Sequence, residues 1–165
     1  MSQASQEVED VAALVLLRAG EPTDHAFCIR SWLGSYTHSA MAREIRSYGL
    51  DYFALWQGIV ERLVRGADLR IACLKDSPEV IVGFACASLA QGKAPPVVHY
   101  AYVREQWQGH DIDRMLLAPE LGKAVVHYTH EPLGNIHDGK GWRRAPSGWR
   151  YRPWWLGVVA NKADT

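Results

Sequence analysis

The sequence predicts an α/β (α+β) domain with one mixed central sheet and helices on both faces. Two observations carry that expectation. Segments of strand-forming apolar residues alternate along the chain with segments whose apolar residues recur every three or four positions. In addition, the stretch from Val97 to Leu117, VVHYAYVREQWQGHDIDRMLL, runs from an apolar strand through a short turn straight into a helix. At 165 residues the chain reads as a single domain spanning 1–165, large enough to bury a core without staples.

The elements follow in order. Ala12 to Arg18 reads as the first strand, broken by Gly20 and Pro22. Thr23 or Asp24 then caps a helix carrying Ala26, Ile29, Leu33 and Tyr36 on one face. Phe53, Trp56, Ile59 or Val60, and Leu63 keep the helical period of a second helix, which Gly66 stops. Leu69, Ile71 and Cys73 alternate as a half-buried strand, Asp76-Ser77-Pro78 has turn chemistry, and Val80 to Ser88 returns as a strand. Gln91 to Pro96 forms the next loop. It leads into the strand ending at Val103, then the helix of Ile112, Met115 and Leu116, then a strand over Ala124 to Tyr128. From Glu131 to Ser147 Gly, Pro, Asp and Asn dominate with no helical period. Residues 131–165 are expected to form a closing segment, with Trp142, Trp149, Tyr151, Trp154 and Trp155 in one or two strands packed on the domain. Residues 1–10 are expected to be flexible.

Composition narrows the function. Formal charge sums to zero, so bulk electrostatics draw the chain neither to nucleic acid nor to a membrane. The start, MSQASQEVED, is polar and acidic rather than signal-like, and no apolar run approaches the roughly 18 residues of a membrane span. A soluble, cytoplasmic protein is the expectation. Cys28, Cys73 and Cys86 lie in apolar runs without metal spacing and read as reduced core thiols. Basic residues collect late, at Lys140, Arg143, Arg144, Arg150, Arg152 and Lys162. Among the Trp residues they have the ingredients of a nucleic-acid surface, although Trp in a small domain more often fills core.

The segment Gln108-Gly109-His110-Asp111-Ile112-Asp113, following its strand, resembles the coenzyme A motif of the GNAT superfamily of N-acyltransferases, a strand followed by Gln/Arg-x-x-Gly-x-Gly/Ala and a helix. Val82-Gly83-Phe84-Ala85 is similar to the strand before that motif. Leu17-Arg18, Pro22 and Asp24 are similar to the family's first strand and helix start. The resemblance covers the chain up to about His130. Ser31-Trp32-Leu33, Ser35-Tyr36, Tyr128-Thr129-His130 and the Trp-rich end also resemble small GNAT-like proteins of tailed phages, which would place the protein in host cytoplasm. The resemblance implies a GNAT-like mixed sheet with a splay beside the Ala124 to Tyr128 strand. It also implies coenzyme A-dependent transfer of an acetyl group from acetyl-CoA to an amine, on a small molecule or a macromolecule. Val103, Gln108, Gly109, His110, Asp111, Ile112 and Asp113 would then hold the cofactor. His99, Tyr102 and His127 would be the catalytic candidates, with Tyr100 an alternative acid, since an imidazole titrates near neutrality and both strands flank the expected reaction centre.

The sequence also departs from the family. Asp111 and Asp113 stand where the motif has small residues, adding bulk and negative charge where a diphosphate would lie. The same carboxylates have a second reading, as caps that satisfy the helix start. The helix on which many GNAT enzymes carry an acidic tyrosine is missing from Glu131 to Ser147. An alternative function therefore stands beside the enzyme: a non-catalytic GNAT-like binding module, contacting nucleic acid through its basic aromatic end. His127 and His130 point to opposite faces if both lie on a strand, a poor geometry for metal.

Overall fold

The computed structural model describes residues 11, 13–37, 40–130, 135–137, 142–153 and 155. The outer residues of the expected flexible start and of the closing segment, Trp154 and Lys162 among them, lie outside the described residues.

Strand β1 (Val15–Ala19) begins later than its apolar run suggests, because Val11, Ala13 and Leu14 are helical. A 3-10 turn over Pro22–Asp24 leads into α1 (His25–Tyr36). Asp24 precedes α1 but caps the turn instead, accepting the Glu21 N–H at 2.8 Å and a two-armed pair from Arg18 at 2.6 and 2.9 Å. Helix α2 (Ala40–Ser47) is an element that the apolar spacing did not reveal. Helix α3 (Tyr52–Gly66) starts where Asp51 accepts the Phe53 and Ala54 N–H groups, a side-chain cap, and Gly66 is its last residue, as expected.

Strands β2 (Asp68–Leu74) and β3 (Ser77–Ser88) form a hairpin whose turn is Lys75-Asp76. Ser77 and Pro78 lie inside β3, a correction to the three-residue turn expected there. β4 (Val97–Val103) follows the loop, then the short helices α4 (Ile112–Leu116) and α5 (Ala118–Leu121). The next strand, β5 (Val126–Tyr128), is two residues shorter at its start than the periodicity implied. Strands β6 (Asn135–His137) and β7 (Trp142–Arg144) make a separate hairpin, and β8 (Trp149–Tyr151) rejoins the main sheet.

The main sheet runs β1-β2-β3-β4-β5-β8, antiparallel through β4 and parallel from β4 to β8. Strand alternation divides its side chains between two cores. One face packs Leu69, Ile71, Phe84, Cys86 and Tyr100 against Cys28 and Trp32 of α1 and Val60, Leu63 and Val64 of α3. The other packs Ala72, Val82, Ala85 and Val98 against Ile112 and Leu116 of α4, closed at the far edge by Val126 and Trp149. Helices thus cover both faces, and the closing segment supplies core: Trp149 is 8% exposed. All three cysteines are buried and free. No helix among the described residues is long and apolar enough to cross a membrane.

Candidate functional site

The parallel pair β4/β5 is short. Val97 faces His127 and Val98 faces Tyr128, held by His127 N–H to the Pro96 carbonyl (2.9 Å) and Thr129 N–H to the Val98 carbonyl (3.1 Å). On β3 the consecutive residues Cys86 and Ala87 face Tyr100 and Val98, so His99 is the extra residue of a bulge. A bulge bends its strand and increases the local twist. Past it β4 runs on to Val103 while β5 ends at Tyr128, so the two strands part. The Thr129 hydroxyl ties the start of the gap by donating to the His99 carbonyl at 3.0 Å. The splay expected from the resemblance would lie here; what is observed is that the pairing of β4 with β5 stops at Val98.

The candidate acid-base residues do not converge on that gap. His99 is wholly buried, its Nε2 2.8 Å from Ser88 Oγ, and burial lowers its pKa to about 4. It is sealed in as a neutral ring. His127 lies on β5 with Trp155 edge-on at 4.4 Å. Burial lowers its pKa first, with a further contribution from the charges of Arg152 and Arg150. Tyr102 packs against Phe84 and Phe27 at 5.8 and 6.3 Å, on the α1 side of the sheet. Tyr100 stacks on Trp32 at 4.9 Å, and burial pushes its phenol up to about 12. His130 packs on Tyr36 and Tyr100, away from Trp155, and no metal-holding cluster occurs among the described residues.

The cofactor candidates sit together at the turn after β4. Arg104 closes the strand through its N–H to the Val82 carbonyl at 2.9 Å. Gln108 folds back, its amide donating to the Val103 carbonyl at 3.0 Å. Gly109 has φ 86° and Asp111 φ 58°. Left-handed residues in such a turn aim successive backbone N–H groups inward and form an anion-sized concavity. Ile112 is buried and anchors α4 in the core.

The side chains tell the opposite story. Asp111 occupies the position before α4 but makes no side-chain cap bond, which corrects its reading as a cap. Its Oδ1 and His110 Nδ1 are both shielded from solvent without a hydrogen-bond partner. A carboxylate at this turn opposes any anion that a left-handed backbone would otherwise suit.

Sequence reasoning missed the polar groups that hold this region. Arg70 of β2 sends a two-armed pair to Glu120 of α5 at 2.6 and 2.7 Å, donates to the Leu116 carbonyl at 2.8 Å, and bonds Asp68 through Nε at 2.7 Å. The partners are far apart in sequence, so only the isolated Arg in the DLRIACL strand hinted at them. Ser88, the partner of His99, carried no signal.

No protein-family model matches the chain, and no curated protein matches it in sequence. Solved structures do resemble its fold. The apo form of YjaB from Escherichia coli is 17% identical, covering 66% of this chain and 65% of that one, with a TM-score of 0.43. A protein described as a GNAT-family acetyltransferase from Desulfovibrio desulfuricans is 16% identical over 65% and 63%, with a TM-score of 0.43. A transcriptional regulator from Bacillus halodurans C-125 is 18% identical over 71% and 82%, with a TM-score of 0.40. The alignments thus span just under two thirds of the first two chains.

Proposed function

We propose that this chain is a GNAT-type N-acyltransferase, moving an acyl group from a coenzyme A thioester to an amine. The observation that carries the reading is the parting of β4 from β5 beyond the His99 bulge, directly ahead of the left-handed turn at Gly109 to Asp111. An open strand edge and an inward-facing amide turn offer an extended amide-containing anion hydrogen bonds along its length. With His99, Tyr102 and His127 taken up by packing, the chain's expected contribution is positioning, which alone is worth about 7–11 kcal/mol when two reactants are held in line.

A second reading rests on Asp111. Two like charges about 4 Å apart repel by roughly 1 kcal/mol in water and about 4 kcal/mol at an effective dielectric of 20, or one to three decades of affinity. That repulsion favours a non-catalytic module whose cofactor turn is closed by its own carboxylate. Contact of such a module with nucleic acid through Arg144, Arg150 and Arg152 belongs to this second reading.

Calorimetry with acetyl-CoA on the wild type and on Asp111→Gly, followed by acetyl transfer to a panel of amines, separates the two. The transferase reading expects saturable binding that tightens by about tenfold or more in the variant. Absence of binding by both proteins discards coenzyme A dependence and leaves the binding module.

A further inference from the structure

Strand β3 outruns its neighbour. Gly83 faces Val103, the last residue of β4, and the Arg104 N–H closes on the Val82 carbonyl, so the β3 residues before Val82 have no β4 residue beside them. A cavity of about 390 Å³ opens where that strand is missing, between the start of β3, the β1–α1 turn and Phe27 of α1. The volume lies at the small end of ligand sites. Phe27 and Ile81 form its apolar wall, and Ile81 belongs to the core under α1. The cavity is thus on the α1 side of the sheet, whereas the Gly109 turn leads into α4 on the other face.

Five charged side chains line it: Arg18, Glu21, Asp24, Glu79 and Arg104. Arg18 and Asp24 are spent on each other in their two-armed pair, and Arg18 also donates to the Pro78 carbonyl. Arg104 is placed differently. Its guanidinium lies over the Phe27 ring at 5.0 Å, and among the described residues no carboxylate pairs with it. Edge-on contacts with Phe84 and Tyr102 at 6.2 and 6.3 Å hold that ring in turn. A ring attracts the cation by its charge and takes none of its oxygen-seeking donors, so the Arg fork stays matched to a carboxylate. Glu79, exposed on the unflanked start of β3, is likewise without an ion pair among the described residues.

One cavity therefore holds a guanidinium and a carboxylate that do not neutralise each other. A ligand with a single charge answers one of them and leaves the other. With Glu21, three carboxylates stand against two guanidiniums, so the lining opposes a plain monoanion and favours a ligand that also carries an ammonium group. We propose that this cavity binds a free α-amino acid with an aliphatic side chain, its carboxylate on Arg104, its ammonium on Glu79 and its hydrocarbon on Phe27 and Ile81. The site depends neither on the Gly109 turn nor on acyl transfer.

The probe is L-leucine, titrated by calorimetry against the full chain. Its analogues are 4-methylpentanoate, which lacks only the ammonium group, and 3-methylbutylamine, which lacks only the carboxylate. Leucine should bind saturably, and each analogue at least about tenfold more weakly, the worth of one charge-assisted contact. The variants should cross. Glu79→Gln should bring leucine to within about threefold of 4-methylpentanoate while keeping its advantage over the amine, and Arg104→Gln should do the reverse. Both positions are at least partly exposed, so the melting temperature should hardly move. No saturable binding of leucine at millimolar concentration, an analogue that binds as tightly as leucine, or variants that leave both ratios unchanged or shift them alike would each overturn the proposal. The three-ligand comparison on the wild type decides even if a variant fails to fold. Acetyl-CoA is absent from these titrations, so their failure and that of the transferase reading are distinguishable.

Discussion

Glu120 and Asp111 are carboxylates of the same helical region with opposite surroundings. Glu120 is 1% exposed, and both its oxygens receive the Arg70 guanidinium. Asp111 is only half-buried, yet one of its oxygens is sealed from water with no donor, and its backbone is left-handed at φ 58°. The first is a completed joint between β2 and α5. The second is an unfinished one, and buried polar groups without partners mark either stored strain or a place awaiting a ligand. The difference sets a satisfied carboxylate beside an unsatisfied one within a few turns of chain.

The scaffold side breaks hardest at its edge. Ending the chain after Ser147 removes β8 and with it Trp149, which closes the core of the α4 face. Losing a buried Trp costs about 3–5 kcal/mol, which lowers the melting temperature by roughly 10 °C or more in a domain of this size. An unchanged melt by circular dichroism would mean that the closing segment is a tail.

Glu120→Ala probes the joint directly. It removes the buried two-armed partner of Arg70, which keeps Asp68 and the Leu116 carbonyl, an expected loss of about 1.5–3 kcal/mol by urea denaturation. Replacing both partners at once, with Arg70→Met and Glu120→Leu, should restore part of that loss, because two apolar groups fill the buried end of the joint while the one-third exposed Asp68 side chain returns to water. A single variant as stable as the wild type would show that the pair contributes nothing.

How much of this was legible follows from the range of each interaction. Strand β4, its turn and the start of α4 came from local periodicity and a Gly, signals a few residues long. Helix α2 was missed because AMAREIRS is only about two turns long: Met41, Ala42 and Ile45 do share a helical face, but so short a run was passed over. The late start of β1 and the early start of β3 were missed because neighbours in the sheet, not local propensity, decide strand ends. His99 was expected as a catalytic base, whereas the structure buries it at a bulge, and a bulge depends on the register between β3 and β4. The Arg70–Glu120 joint and the Ser88–His99 pair are tertiary, and beyond the isolated Arg of DLRIACL they left no local trace.

Arg18 and Asp24 give a smaller effect with a pH signature. The Arg18 guanidinium, and then the Glu21 N–H, hold the Asp24 carboxyl below its ordinary 3.8. A carboxyl depressed in the folded state contributes fully above its unfolded pKa of about 3.9, and the contribution is lost as pH falls through the folded value. Asp24→Asn should therefore cost about 1.5–3 kcal/mol at pH 7. The gap from wild type should close only as the pH drops below about 4. Stability curves of both proteins from neutral to acid pH check it; a gap that persists unchanged to the acid limit would assign the loss to shape rather than charge.

Asp111→Gly carries the smallest change in stability and the sharpest sign. Had Asp111 capped α4, its removal would weaken the helix start by about 0.5–2 kcal/mol. It accepts no helix N–H, so that loss does not apply. Glycine relieves the left-handed backbone, worth roughly 1–2 kcal/mol for an L-residue, and removes the shielded oxygen that has no partner. Against this stands the extra freedom of the unfolded glycine, about 0.5–1 kcal/mol. The balance is a protein more stable by about 1 kcal/mol, read by urea denaturation at pH 7. At the same time the turn loses the carboxylate that opposes a diphosphate, so acetyl-CoA affinity and stability should rise together. A destabilised variant would restore the cap reading and make Asp111 scaffold like Glu120. A stabilised variant with unchanged acetyl-CoA affinity would keep the orphaned oxygen as strain and move the ligand of the turn away from Asp111.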